Sequence, residues 1–307
     1  MEIKSFFTVS KKDLGLIEMH SALNLLNALL AEVYVFSDLL GLGVNETKTV
    51  EGDIVELAGR LRDPSAASLA LKSLGDFSQA LRARLMALKD QAFRRRTGGV
   101  EEQAIETQEE NIDAVLEIFA VRASELLERR APEAEWREFT IDLLRRSLQQ
   151  VLDVMQRLTT TSPRIVYDPP EHTPDNHLFL FRSCRDDFDR ILLPAVFQDV
   201  IRDLVANARK YTQPGGSYSV DLCENGSTIS IVVTDDGRGI PPNEVARTVE
   251  FGYRATNAQD RRTLGGGFGL TKAYLTTQRH GGRFFIDSAP DAGTTIRIEL
   301  PVSASRR

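Results

Sequence analysis

Cysteine is nearly absent from the 307-residue sequence: there are only Cys184 and Cys223, and neither has a second cysteine or a histidine at ligand spacing nearby. Structural zinc and a disulfide framework are therefore not expected, and two reduced thiols of a cytoplasmic protein are the simpler reading. No run of eighteen apolar residues and no signal-peptide pattern is found, so no membrane span is expected. An excess of basic charge is missing as well. The net charge of −6 argues against a dedicated nucleic-acid binder. The one basic cluster, Arg94-Arg95-Arg96, closes an expected helix, where the dipole favours cations. Internal repeats and low-complexity tracts are lacking.

What remains is the composition of a soluble globular protein, 42% hydrophobic and 27% charged. The length suits two domains. A polar stretch, Thr159-Thr160-Thr161-Ser162-Pro163, places the boundary between residues 1–160 and 161–307. The first part reads as helices. Ser10 to Asp13 forms a capping box, and Leu16, Met19, Leu23, Leu26, Leu30, Val33 and Leu40 follow a bundle seam as far as Gly41 and Gly43. Further helices are expected over Val50 to Arg62, along Leu71, Leu74, Leu81, Leu85 and Leu88 after an Asp63-Pro64 start, along Ile112, Val115, Phe119 and Leu126, and along Trp136, Leu144, Leu148, Val151, Met155 and Leu158.

The second part carries three short signals in order. Phe197 to Tyr211 has helical apolar spacing and gathers Asp203, Asn207 and Lys210 along another face. A carboxylate, an amide oxygen and an ammonium suit a Mg-nucleotide, although a solvated face with an ion pair would look the same. Thr228 to Thr234 reads as a buried strand running into Asp235-Asp236-Gly237-Arg238-Gly239. Asp235 can accept from an exocyclic amine while the glycines let a flat ring approach the backbone; an ordinary Asp-Gly turn is the alternative. Gly265-Gly266-Gly267-Phe268-Gly269-Leu270 then opens a helix, with N–H groups turned toward an anion. The long polar segment between the second and third signals, Pro241 to Leu264, has the length of a functional lid.

As an ordered set, these runs resemble the N box, the two glycine boxes and the lid of the GHKL ATPases, and the histidine-kinase branch in particular. His280-Gly281-Gly282, Gly293-Thr294-Thr295 and Leu300-Pro301 are similar to the close of that catalytic domain. The resemblance covers Arg164 to Val302. It implies an α+β fold class, an N-terminal all-helical bundle followed by a GHKL (Bergerat) α/β sandwich with a mixed sheet. It also implies ATP and Mg as cofactors. Asn207 would coordinate Mg with Asp203 beside it, and Lys210 would reach phosphate. Asp235 would bind the adenine amine, with Gly237, Gly239, Gly265, Gly267 and Gly269 shaping the backbone. Tyr211, Leu270 and Thr294 complete the nucleotide-binding set. Two departures stand out: Phe268 replaces the usual Leu, and Asp203 replaces the commoner Glu with a shorter reach.

Of the four histidines, His20 alone lies on a long amphipathic helix, where a structural role is the default. His20-Ser21-Ala22-Leu23-Asn24-Leu25-Leu26-Asn27 is similar to an H box of sensor kinases. That resemblance implies His20 as phosphoacceptor, with His20, Asn24 and Asp203 as the catalytic set. Ser21 stands where the commoner branch carries an acidic base, and the bundle holds more helices than such a kinase needs. The resulting expectation is a cytoplasmic, dimeric protein histidine kinase, paired through its N-terminal helices, that passes phosphate to a response-regulator receiver domain. A separate sensor protein would feed it, and neither nucleic acid nor a membrane span belongs to the picture. A GHKL-type Ser/Thr protein kinase, or a nucleotide-binding phosphotransfer scaffold without kinase chemistry, is the alternative.

Overall fold

A computed structural model describes residues 1–4, 11–95, 102–128, 136–157, 163–187, 189–259 and 268–302. Its helices and strands sort into two units, Ser10–Ala131 and Met1–Val9 with Pro132–Arg307.

The first unit is helical: α1 (Lys11–Leu40), α2 (Val44–Arg62), α3 (Ala67–Lys72), α4 (Leu74–Arg95) and α5 (Glu102–Glu128). In α1 the buried stripe is Met19, Ala22, Leu26, Leu29, Val33, Phe36 and Leu40, an alternation of three and four that lays one seam against α2 and α5. The expected seam shares Met19, Leu26, Val33 and Leu40, but Leu23 and Leu30 are only half-buried. Gly41, at φ 65°, ends the helix as expected. Glu32 is buried between α1 and α5, where Gln108 Nε2 donates to its carboxylate at 2.6 Å and to its carbonyl at 2.9 Å. Burial pushes the Glu32 pKa above its ordinary value, and the Gln108 hydrogen bond opposes that. The expected single helix after Pro64 is two, because Ser73, between α3 and α4, turns its hydroxyl back onto the Ala70 carbonyl at 3.0 Å. Asp63 closes α2 and accepts from Ser65 instead of capping a helix at Pro64. One segment of α1, Ile17–Leu40, is long and apolar enough to cross a membrane, although polar residues interrupt it.

The second unit holds β1 (Trp136–Thr140), α6 (Ile141–Arg157), β2 (Arg164–Val166), β3 (Asn176–Ser183), β4 (Arg190–Pro194), α7 (Val196–Tyr211), β5 (Ser217–Asn225), β6 (Thr228–Asp235), α8 (Gly269–Arg279), β7 (Arg283–Ser288) and β8 (Thr294–Pro301). Six strands form the expected mixed sheet in the order β2-β3-β5-β6-β8-β7, parallel as far as β5 and antiparallel beyond it. Strand β1 pairs with β4 in a separate ribbon. The first residues lie along β7, with Ile3 N–H donating to Phe284 at 2.8 Å and Ile286 N–H to Met1 at 3.0 Å.

Two expectations are corrected here. The boundary does not fall at residues 160 and 161. Trp136 begins a strand, the Thr140 hydroxyl caps α6 by accepting Leu143 N–H at 3.2 Å, and Ile141, Leu144, Leu148 and Leu152 enter one core with Phe197, Val200 and Leu204 of α7. Nor are the cysteines separate thiols. Strands β3 and β5 run side by side with Ser183 opposite Leu222, which brings Cys184 and Cys223 to a Cα separation of 5.2 Å, and their sulfurs are bonded.

A fragment of residues 132–307 is expected to unfold in one cooperative urea transition followed by circular dichroism. A fragment of residues 161–307, stripped of four buried α6 side chains at roughly 1.5–3 kcal/mol each, is expected to show none.

Candidate functional site

Helix α7 forms because its apolar residues fall on one face. Phe197, Val200, Ile201, Leu204, Val205 and Ala208 are all buried against the core. Asp199, Asp203 and Asn207 follow at steps of four along another line. The first residue of α8 meets the end of that line. A Cβ placed on Gly269 would lie 3.1 Å from Asn207 Nδ2 and 3.8 Å from Asp203 Cβ, so the backbone of α8 rests on the Asn207 amide. The first N–H groups of α8 have no intrahelical acceptor and point the same way. One Asp203 oxygen is taken by Lys272 of α8 at 2.6 Å.

Asp235 ends β6. Its Oδ1 accepts the Gly237 N–H at 2.9 Å, and the main chain of Thr294, its register partner on β8, also favours the ionised form. Burial outweighs both, and with the neighbouring Asp236 charge it lifts the Asp235 pKa from 3.8 to about 6. A Cβ on Gly237 would collide with the Tyr211 carbonyl oxygen, so the strand end and the α7 end approach as only glycine permits. Ser288 steadies the far wall: its hydroxyl donates to the Gly293 carbonyl at 2.9 Å, accepts Ile240 N–H at 2.9 Å, and lies 2.9 Å from Thr294 Oγ1. With the Ser288 proton already given to Gly293, the Thr294 hydroxyl donates to Ser288 and keeps its lone pairs for a ligand.

The expected lid begins as folded chain. Residues 245–249 and 256–258 make 3₁₀ turns. Glu244 grips Thr256 through both carboxylate oxygens at 2.7 Å, and Asn257 Nδ2 donates to the Gly239 carbonyl at 3.0 Å. Phe268 packs on Phe251 with ring centroids 4.5 Å apart, which accounts for an aromatic residue at that place in the glycine box. Lys210 Nζ lies 4.9 Å over the Tyr211 ring, and Leu270 packs against the core. Gly265 and Gly267 lie outside the described residues. Apart from this unit, His20 and Asn24 sit one turn apart on α1, with Asn24 Nδ2 3.1 Å from His20 Nε2 and the ring 8% exposed.

The structure thus brings Asp203, Asn207 and Gly269 together along α7, and Asp235, Gly237 and Thr294 together at the ends of β6 and β8. The sequence reading missed Asp199, Ser288 and Lys272. Lys272 was findable as the one charge between Leu270 and Leu275 in an apolar stretch of helix.

Residues 194–304 match the family model of histidine kinase-, DNA gyrase B-, and HSP90-like ATPases. That stretch, less than half of the chain, is a GHKL ATPase domain by this match. Across 143 residues it is 34% identical to the sensor histidine kinase WalK of Bacillus subtilis, covering 45% of this chain and 23% of that one. Across 105 residues it is 35% identical to the histidine protein kinase DivJ of Caulobacter vibrioides, covering 34% and 17%. The chain thus spans less than a quarter of the length of these relatives. A mycobacterial sensor histidine kinase, MprB, aligns in structure at 22% identity and a TM-score of 0.39, covering 54% of this chain and 96% of that one.

The GHKL site fits ATP on its own geometry. Gly237 lets the end of β6 meet the end of α7 where a side chain would collide, and the half-buried carboxylate of Asp235 at that end is an acceptor for an exocyclic amine. No group of three His, Cys, Asp or Glu side chains able to hold a metal occurs among the described residues. The single amide oxygen of Asn207 suits Mg, which completes its shell with water and phosphate oxygens.

The pKa of Asp235 in the folded domain lies above the unfolded value, so the native state holds an extra proton between about pH 4 and 6. Stability therefore falls as pH rises through that window and stays reduced above it, by on the order of 3 kcal/mol at most. Asp235→Asn is expected to raise the melting temperature at pH 7.5 and to erase this slope. Nucleotide affinity should fall in that variant by roughly 10–100-fold, because an amide N–H then faces an amine N–H. In the wild type, affinity should decline as pH drops below about 6. Scanning calorimetry and titration calorimetry across pH 5–8 check both.

Proposed function

We propose that the chain is a protein histidine kinase that phosphorylates His20 from ATP-Mg and passes the phosphate to an aspartate of a response-regulator receiver domain. The observation that carries the reading is the contact between Asn24 and His20. The Asn24 amide N–H donates to Nε2, so the neutral ring keeps its proton on Nδ1 and holds Nε2 as a lone pair. A nucleophile in that tautomer needs no base, which suits a helix with Ser21 where an acid would stand. When bound, ATP-Mg supplies an activated phosphoryl group whose charge the metal partly neutralises.

Each residue then has a defined part. Asp235 accepts from the purine amine, Asn207 offers the metal ligand, and the N-terminal N–H groups of α8 face the phosphates. Transfer ends with the new bond on His20 Nε2, the Nδ1 proton unmoved and ADP as the leaving group. In the reverse direction, Asn24 would orient water for dephosphorylation. The same reading makes the protein a cytoplasmic dimer joined through its N-terminal helices, answering to a separate sensor protein and needing neither nucleic acid nor a membrane span.

The burial of His20 favours a second reading. In it the GHKL domain phosphorylates Ser or Thr, or only binds nucleotide, while His20 serves the bundle core.

Labelled ATP-Mg separates them. The first reading expects an acid-labile, alkali-stable phosphate that is absent in His20→Ala and reduced by roughly a hundredfold or more in Asn207→Ala. Acid-stable label, or full labelling of His20→Ala, would overturn it.

A further inference from the structure

We propose that Lys272 is a positioning residue for the metal-binding face of α7, acting through Asp203; this rests on the nucleotide reading above. Lys272 is only 4% exposed. Its ammonium lies 2.6 Å from Asp203 and 3.7 Å from Asp199, which is fully buried. Arg202 stands 3.5 Å from Asp199 and donates to Ser147 of α6 at 2.6 Å. Two carboxylates and two cations thus balance between α6, α7 and α8, at the back of the site.

Such a buried set is a poor device for stability alone. Removing charges from water costs about as much as their attraction returns, and apolar side chains of similar volume do as well or better. Leu270, Ala273, Tyr274 and Leu275 show that α8 has no difficulty supplying apolar residues. What a charged pair adds is direction.

That direction is tied to the metal face. Gly269 and Lys272 are three residues apart and share one side of α8, while Asp199, Asp203 and Asn207 share one side of α7. Gly269 rests on Asn207, and Lys272 holds Asp203 one turn away. The two contacts are separated by about 4.5 Å along α8. A single contact would leave α8 free to roll on α7; two fix both its rotation and its slide. Asn207 therefore meets the glycine box at one setting, decided by Lys272. The pair also occupies an Asp203 oxygen, which makes Asp203 a strut more than a base.

The test measures ADP affinity by titration calorimetry with and without Mg. The wild type should bind more tightly with Mg by about tenfold or more. Lys272→Met should keep its Mg-free affinity within about twofold while most of the Mg enhancement disappears. Lys272→Met combined with Asp199→Asn removes one charge of each sign and leaves Asp203 and Asn207 themselves unchanged. Because it leaves one buried charge of each sign, it should cost less stability than the single variant and show the same selective loss, so it decides the matter if the single variant does not fold. Undiminished Mg enhancement in the folded variant overturns the proposal, as does equal weakening with and without Mg. Wild-type protein that binds no nucleotide overturns the nucleotide reading with it, so the two failures are distinguishable.

Discussion

Helix α7 is held along two faces at once, and the rest of the C-terminal unit depends on that double hold. Its apolar face is buried with the sheet and α6, where area removed from water is the dominant favourable term. Its polar face is gripped by Lys272, the buried charge of α8. The hydrophobic contact decides that α7 lies on the sheet, but it is non-directional and tolerates rolling. The charged contact is directional and tolerates little. A metal ligand at Asn207 needs the second kind of restraint, which is why the polar line on α7 runs back into the core through Asp199.

Asp235 shows the opposite economy. Its carboxylate stands in a place too dry for it, and the domain is less stable above pH 6 for keeping it there. A purine amine is the partner that would relieve the cost. Stability and recognition therefore pull against one another at that residue, as they do where binding groups are preorganised before the ligand arrives.

Much of this was legible in the order of residues. Helix α7, strand β6 and the start of α8 follow from local spacing alone, which also puts Asp203 and Asn207 on one line of α7 and Asp235 at the end of β6. What escaped was non-local. Trp136 and Leu144 can be counted on a helix or on either side of a strand and its cap, and only the pairing of β1 with β4 decides between them. Cys184 and Cys223 are 39 residues apart, and nothing near either one hints that β3 and β5 run in parallel register. The seam of α1 was half right because the helix carries leucines on two neighbouring stripes, and period alone cannot say which one the partner helices cover. Lys272 was passed over because a lone lysine in a helix is usually a solvated one.

Residues beside β7 begin the ATPase unit, the chain then makes the whole bundle, and it re-enters the ATPase unit before β1. The bundle is an insertion, so two crossings of main chain tether the halves. A protease that nicks either crossing leaves one particle, not two.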